Sequence, residues 1–417
     1  MEKTAPKERV FSPYQVFIII ILTFLQFTII LDFMVLSPLG DYLMKELHLT
    51  PKQFGWVVSS YAISAGISSL LASGFTDRFD RKKLLLFFYV GFIIGTLFCG
   101  LAPNYEYLLL ARVFTGIFGG VIGSIAFAII TDLFVMQVRG RVMGFVQMGF
   151  AASQILGIPI GLYFADRIGW HFPFFMIVAI SIPVGILILM YMKPVNTHLS
   201  LQTSQNPFQH LKRIVSTRRY LQGFAATVLL ATGGFMLMPF GSAFSVNNLG
   251  VSPKDLFKIF LVTGIVSMIA GPLIGKASDK FGKYNLFVIG SIWSIIMVIY
   301  YCNLTVVPLW VVFVANSLMF VGVTARIISS SALLSGVPEP RDRGTFMSVN
   351  ASVQYIAGGI ATAIAGQIVY QATENSPLEN YPILGYVVAG TTIITIIMMY
   401  YLNRMIKRTE PSPNNPV

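Results

Sequence analysis

Nine stretches of this sequence, each at least 17 residues long, contain no Asp, Glu, Lys or Arg: 14–31, 53–76, 84–105, 142–165, 168–192, 220–253, 259–275, 344–373 and 380–403. A bilayer core is crossed by about 20 apolar residues in helical form. Lipid offers the backbone no hydrogen-bond partners, so runs of this length must satisfy their own N–H and C=O groups as helices. Each is too long for one strand of a barrel. Two further runs, 107–131 and 307–338, are interrupted by one arginine each, Arg112 and Arg326. The uncharged run from 284 breaks at the turn-like Asn303-Leu304-Thr305 before Pro308, which brings the expected number of spans to twelve. The fold class is an all-α membrane bundle.

Composition agrees, with 11% charged residues against roughly 25% in soluble domains. The first span follows Lys3, Lys7 and Arg9 but is too long for a signal-peptide core and lacks a small-residue cleavage site, so it reads as span 1 of the mature protein. Cys99 and Cys302 fall within spans, where cysteine behaves as a small apolar residue, and imply neither disulfide nor metal site. The net charge of +12 raises the question of nucleic acid, and the placement of the basic residues answers it. With the N-terminus inside, 22 of the 29 Lys and Arg fall in inner segments; Lys45, Lys52, Arg167, Lys254 and Lys258 fall outside, and Arg112 and Arg326 within spans. That bias fixes topology, with both termini cytoplasmic, and argues against a nucleic-acid partner.

The longest polar segment, Lys193 to Arg219, follows the sixth span and carries Pro194, Asn196, Ser200, Ser204 and Pro207. It divides the chain into an N-terminal bundle over 1–193, a cytoplasmic linker over 194–218 and a C-terminal bundle over 219–417. The end of the linker, Phe208 to Tyr220, reads either as a basic amphipathic helix on the inner leaflet or as a solvated connector. The two halves repeat. After span 2 the chain reads Ser73-Gly-Phe-Thr-Asp77-Arg-Phe-Asp80-Arg81-Lys-Lys83, and after span 8 Gly275-Lys-Ala-Ser-Asp279-Lys-Phe-Gly282-Lys283, an offset of 202 between the aspartates. Arg-Gly-x-x-Met recurs at Arg139–Met143 and Arg343–Met347, an offset of 204. Such a duplicated bundle can rock its halves about a midplane site.

On these residues the chain resembles the major facilitator superfamily over its whole length, and within it the twelve-span drug:proton antiporter branch, which includes sugar and metabolite exporters. The resemblance implies a carrier of a small organic solute in a bacterial plasma membrane, for which a monomer suffices, with no cofactor and with protons as the coupling partner. Asp77, Arg78, Arg81 and Lys82 match the family loop Gly-x-x-x-Asp-Arg-x-Gly-Arg-Lys, with Ser73 and Asp80 where glycine is usual. Asp132 stands where the family completes this gating cluster at the inner end of span 4, and Asp279 is the repeat's counterpart of Asp77. A carboxylate among fixed cations can latch helix ends; topology alone also accounts for the cations. In span 5, Gly149, Gly157, Pro159 and Gly161, followed by Gly169-Trp170, resemble the antiporter motif. Small residues there allow close helix approach and proline allows a bend where the halves meet, although ordinary tight packing explains them as well.

Ionisable residues at depth say most, because a central charge costs at least roughly 2.5 kcal/mol and survives with a partner or a wet cavity. Asp32 lies six residues before Pro38 and Arg112 six after Glu106, so both sit roughly 9 Å below the outer surface at 1.5 Å per residue. Equal depth allows them to pair. In the antiporter branch an acidic residue of span 1 often takes part in proton or cation binding, and the span 4 arginine, followed here by Gly116, Gly119 and Gly120, is a hallmark; Thr115 replaces the usual glutamine. Burial and a neighbouring arginine act on a carboxylate in opposite senses, so a cavity of changing hydration could load and release a proton at Asp32. A fixed structural ion pair is the competing reading. With one central carboxylate, the cycle carries one proton. At about 100 mV and one pH unit it supplies roughly 2.3 plus 1.4 kcal/mol, enough for a several-hundred-fold gradient of a neutral solute.

Arg326, with Ser329, Ser330 and Ser331 behind it, is a candidate for an anionic substrate group or an arginine snorkelling to the inner interface. Gln26, Tyr61, Gln147, Gln154, Asn350 and Gln354 are candidate cavity residues, each explicable by interhelical hydrogen bonding. The expected function is proton-coupled export by alternating access, with uptake symport or uncoupled facilitation as alternatives. The sequence offers no metal-ligand cluster, nucleophile elbow or phosphate loop, so no enzyme is expected.

Overall fold

The computed structural model describes residues 11–72, 78–196, 207–339 and 342–409. Twelve long helices run through them: α1 Pro13–Val35, α2 Pro51–Ala72, α3 Arg81–Gly100, α4 Tyr105–Leu133, α5 built from Met136–Ala152 and Ile158–Ile168, α6 Phe172–Tyr191, α7 Arg218–Phe235, α8 Leu256–Phe281, α9 Lys283–Cys302, α10 Leu309–Leu334, α11 Arg343–Ile368 and α12 Tyr381–Thr409. Eleven are long and apolar enough to cross a membrane. The twelfth, α11, has 26 residues but is less apolar because glycine, alanine, serine and threonine replace larger aliphatics. They do so for packing.

Capping residues set several ends. Ser12 and Gln15 form a capping box at α1 with Pro13 in the first turn, and Asn104 accepts from the Tyr107 amide at the start of α4. Asp80, the residue that departs from the family loop, caps α3 by accepting from the Lys83 amide at 3.0 Å; a carboxylate at a helix N-terminus is favourable in both bonding and charge. Gly169 ends α5 at φ +122°, a backbone angle that excludes side chains of ordinary chirality, and so sets the corner before α6.

The helix contacts repeat in the second half. In the first, α1 packs on α5 and α6, α2 on α4, and α3 on α4 and α6; in the second, α7 packs on α11 and α12, α8 on α10, and α9 on α10 and α12. Adding six to every index turns one set into the other, the expected result of duplication. Two seams join the halves, α2 with α11 and α5 with α8, and the same operation exchanges them. The α2–α11 seam is nearly backbone on backbone. A Cβ placed on Gly55 would stand 3.2 Å from Gly366 Cα, and one on Gly66 would stand 2.8 Å from the Ser352 carbonyl. Small residues let lipid-bathed helices approach this closely.

The linker is shared between the halves. The Val195 carbonyl accepts from the Arg81 amide at 3.0 Å. A helix over Pro207–Ser216 docks on the C-terminal half, with Ile214 fully buried and Arg213 paired to Asp342, which also accepts from Tyr220 at 2.8 Å. The amphipathic helix thus forms, packed on protein.

The end of the bundle at which α1 starts and α12 finishes is the basic end, and the opposite end is the far end. Every hydrogen bond that joins described residues of the two halves lies at the far end. Ser242 donates to the Ser37 carbonyl at 2.9 Å, Asn247 to Asp41 at 2.8 Å and Tyr42 to the Pro253 carbonyl at 3.2 Å, and His48 pairs with Glu374. Phe54 stacks edge-on against Phe240 beneath them. Toward the basic end, a Cβ on Gly123, Gly144, Gly271 or Gly275 would meet nothing within 4 Å. The hydrogen bonds between the halves thus gather at the far end, while toward the basic end the halves meet through α2 and α11, where Leu70 packs on the core of the second half.

Candidate functional site

Asp32 is the one described carboxylate seated within the bundle away from the helix ends, and it is fully buried. Its Oδ2 accepts from Arg112 Nη1 at 2.9 Å and its Oδ1 from the Thr96 hydroxyl at 3.1 Å. The Arg112 guanidinium lies 4.4 Å from the centre of the Tyr61 ring, and Cys99 and Thr115 pack beside it with their polar atoms 3.6 Å apart. Four helices thus supply the cluster: α1 the acid, α4 the base, α3 a hydroxyl, α2 an aromatic face. The pair allowed by equal depth forms, and Tyr61, expected on the cavity, lies beneath Arg112 with 1% of its surface exposed. Arg112 Nε has no hydrogen-bond partner.

Next to Asp32 in sequence, Phe33 crosses to the other half. Its ring centre is 5.4 Å from Tyr61, 5.8 Å from Phe235 on α7 and 5.6 Å from Tyr355 on α11. The ion pair and the contact between the halves are therefore one residue apart. Neither Thr96 nor Phe33, Phe235 and Tyr355 stands out in the sequence, since threonine and aromatics are common in lipid-facing helices.

At the basic end Arg81 donates to Asp132 at 3.2 Å, joining the starts and ends of α3 and α4 as the loop motif implies. Arg78 is exposed. Asp77 lies outside the described residues, and so does the side chain of Asp279, whose backbone falls in the last turn of α8.

The span 5 motif packs within one half. A Cβ on Gly149 would stand 2.4 Å from the Thr23 carbonyl of α1, and one on Gly157 would stand 2.7 Å from Leu31. Between them the chain makes a π-helical turn over Ser153–Gly157, with Pro159 just beyond. This turn carries the contact to the other half, because a Cβ on Gly264 of α8 would stand 3.3 Å from Ile155. A π-turn is an irregularity of the kind that marks functional sites. Gly161 packs toward Pro173 and Val35.

The remaining polar candidates divide. Asn350 is buried and accepts from Thr227 at 2.6 Å, and Gln154 donates to Met34 Sδ at 2.8 Å. Gln147 and Gln354 are exposed and Gln26 is half-buried. Arg326 is 6% exposed with no described carboxylate partner.

A family model described as Major Facilitator Superfamily matches residues 22–270 and 223–417. The chain is 30% identical over 380 residues to the MFS-type transporter YceJ of Bacillus subtilis (strain 168), covering 89% of this chain and 92% of that one. It is 27% identical over 256 residues to Multidrug resistance protein 2 of the same organism, covering 60% and 64%. Its fold matches, with a TM-score of 0.79 and 17% identity, a bacterial homologue of the human lysosomal transporter Spinster in an inward-facing and unoccupied conformation, over 97% of this chain and 100% of that one. The chain belongs to the major facilitator superfamily and is a multi-pass membrane transporter of small molecules.

Proposed function

We propose that the protein exports a small organic solute in exchange for one proton, by alternating access, with Asp32 as the proton-carrying group and Arg112 as its counter-charge. The observation that carries this reading is the Asp32–Arg112–Thr96 cluster, an ion pair without surface exposure placed one residue from Phe33, which touches the other half. A change in how the halves meet at Phe33 alters the packing around Asp32, which ties protonation to conformation. The basic end is cytoplasmic by the distribution of lysine and arginine. With the hydrogen bonds between the halves at the opposite end, the conformation described is then inward-facing, in a bacterial plasma membrane. The relation to Multidrug resistance protein 2 supports export.

The test uses purified protein in proteoliposomes, with lumenal pH recorded while cations, neutral drugs, sugars and organic acids are added. Substrate-dependent proton movement is expected in the wild type and absent in Asp32→Asn. Uphill transport retained by Asp32→Asn would remove Asp32 from the coupling; co-directional proton and solute flux would make the protein an uptake symporter, and solute flux without protons a facilitator.

A further inference from the structure

Arg326 is the anomaly of the C-terminal half. Its side chain is 6% exposed, no described acid pairs with it, and its Nε has no hydrogen-bond partner. Arg112, equally buried, is matched by Asp32; Arg326 has nothing of the kind. Unsatisfied hydroxyls gather around the same stretch of α10. Ser329 lies one turn on, and Ser291 and Ser294 lie on α9, all three buried without partners. The two helices touch here, since a Cβ on Gly290 would stand 3.4 Å from the Arg326 amide nitrogen. A buried cation with no described anion, beside buried hydroxyls that lack partners, is an arrangement that a fold retains when something outside the chain completes it.

A Cβ on Gly233 of α7 would stand 3.5 Å from Arg326 Nη2 and 3.8 Å from Thr392 Oγ1, so the glycine at 233 keeps any side chain of α7 off the guanidinium. A guanidinium favours planar, two-oxygen partners.

We infer that Arg326, faced by Gly233 and without an acid partner, binds the anionic group of the transported solute, a carboxylate, sulfonate or phosphate on an organic body. The inference rests on reading the chain as a carrier of small organic solutes, and it places the substrate charge in the half that lacks the proton site. Solute and proton thus bind to different halves.

Equilibrium binding tests this apart from direction or coupling. Purified full-length protein in detergent is heated with benzoate, benzenesulfonate or phenyl phosphate, with the neutral isostere benzamide, and with chloride and inorganic phosphate. At saturation at least one organic anion should raise the thermal midpoint by about 2 °C or more, while benzamide does not. The shift should vanish in Arg326→Gln and in Gly233→Asp. That last variant supplies an internal carboxylate and should itself melt higher than wild type, which shows that loss of binding is not loss of fold. An equal shift in Arg326→Gln, no shift with any of the three organic anions, or a shift with chloride or inorganic phosphate alone, marking a resident counter-ion, would each overturn the assignment. If proton coupling at Asp32 fails its own test while these results hold, the anion site stands and the coupling ion is another.

Discussion

Asp32 and Arg112 are each tolerable in a membrane because of the other. Removing one partner of a buried pair leaves an uncompensated charge and costs about 3–5 kcal/mol, whereas removing both costs much less. Asp32→Asn and Arg112→Gln should each unfold earlier than wild type, and the double variant should recover most of the loss, as measured by thermal unfolding in detergent. Two single losses that simply add in the double variant would mean the 2.9 Å contact contributes little. The pair is legible in the sequence because two ionisable residues in apolar runs can be counted to a common depth. Thr96 is not legible, since its partner is 64 positions away and a threonine hydroxyl can equally satisfy itself on its own helix. Arg326 is legible as a lone charge, yet the glycine that faces it, 93 positions earlier on α7, becomes visible only when the helices are placed.

Among the elements, the helices themselves follow from charge-free length, and the doubled architecture follows from the repeated loop motifs. What packs against what does not. The span 5 glycines seat α5 on α1 and the π-turn between them meets α8 at Gly264, while the longer seam runs along α2 and α11, whose glycines form no named motif. Gly66→Leu would drive a side chain to within 2.6 Å of Ile356. Overpacking of this kind costs about 1–3 kcal/mol, and a transport assay beside a melting curve should show a loss of rate larger than the loss of stability. The far-end seal offers a second test. Glu374 raises the proton affinity of His48 through a hydrogen bond and its charge. The attraction is therefore present in full below the ordinary histidine range and is lost as pH rises through the raised value. Spin labels at Asn104→Cys and Ser252→Cys should report a far end that opens more readily with rising pH, and the dependence should weaken in Glu374→Gln.

At the scale of the whole molecule, charge movement separates the possible cargoes. One proton entering against a neutral solute moves one charge, worth about 2.3 kcal/mol per 100 mV; against a departing monoanion it moves two, worth about 4.6. Proteoliposomes clamped at several potentials should show twice the voltage dependence of the accumulation ratio for an anionic substrate as for a neutral one, and none for a monocation. The net charge of +12 says nothing about this, because it belongs to topology. One asymmetry between the two seams reaches further. The α2–α11 seam stays closed along both helices, whereas α5 and α8 meet near Ile155 and Gly264, and between Tyr163 and Phe257 at 5.4 Å. Toward the basic end, a Cβ on Gly144 of α5 or on Gly271 or Gly275 of α8 would meet no protein atom within 4 Å. In the orientation proposed above, a seam between α5 and α8 that closes only in its outer part leaves a lateral opening onto the cytoplasmic leaflet. An amphipathic solute arriving through it is sampled at its concentration in the lipid, so its apparent KM should rise when more empty vesicles are added at fixed total solute.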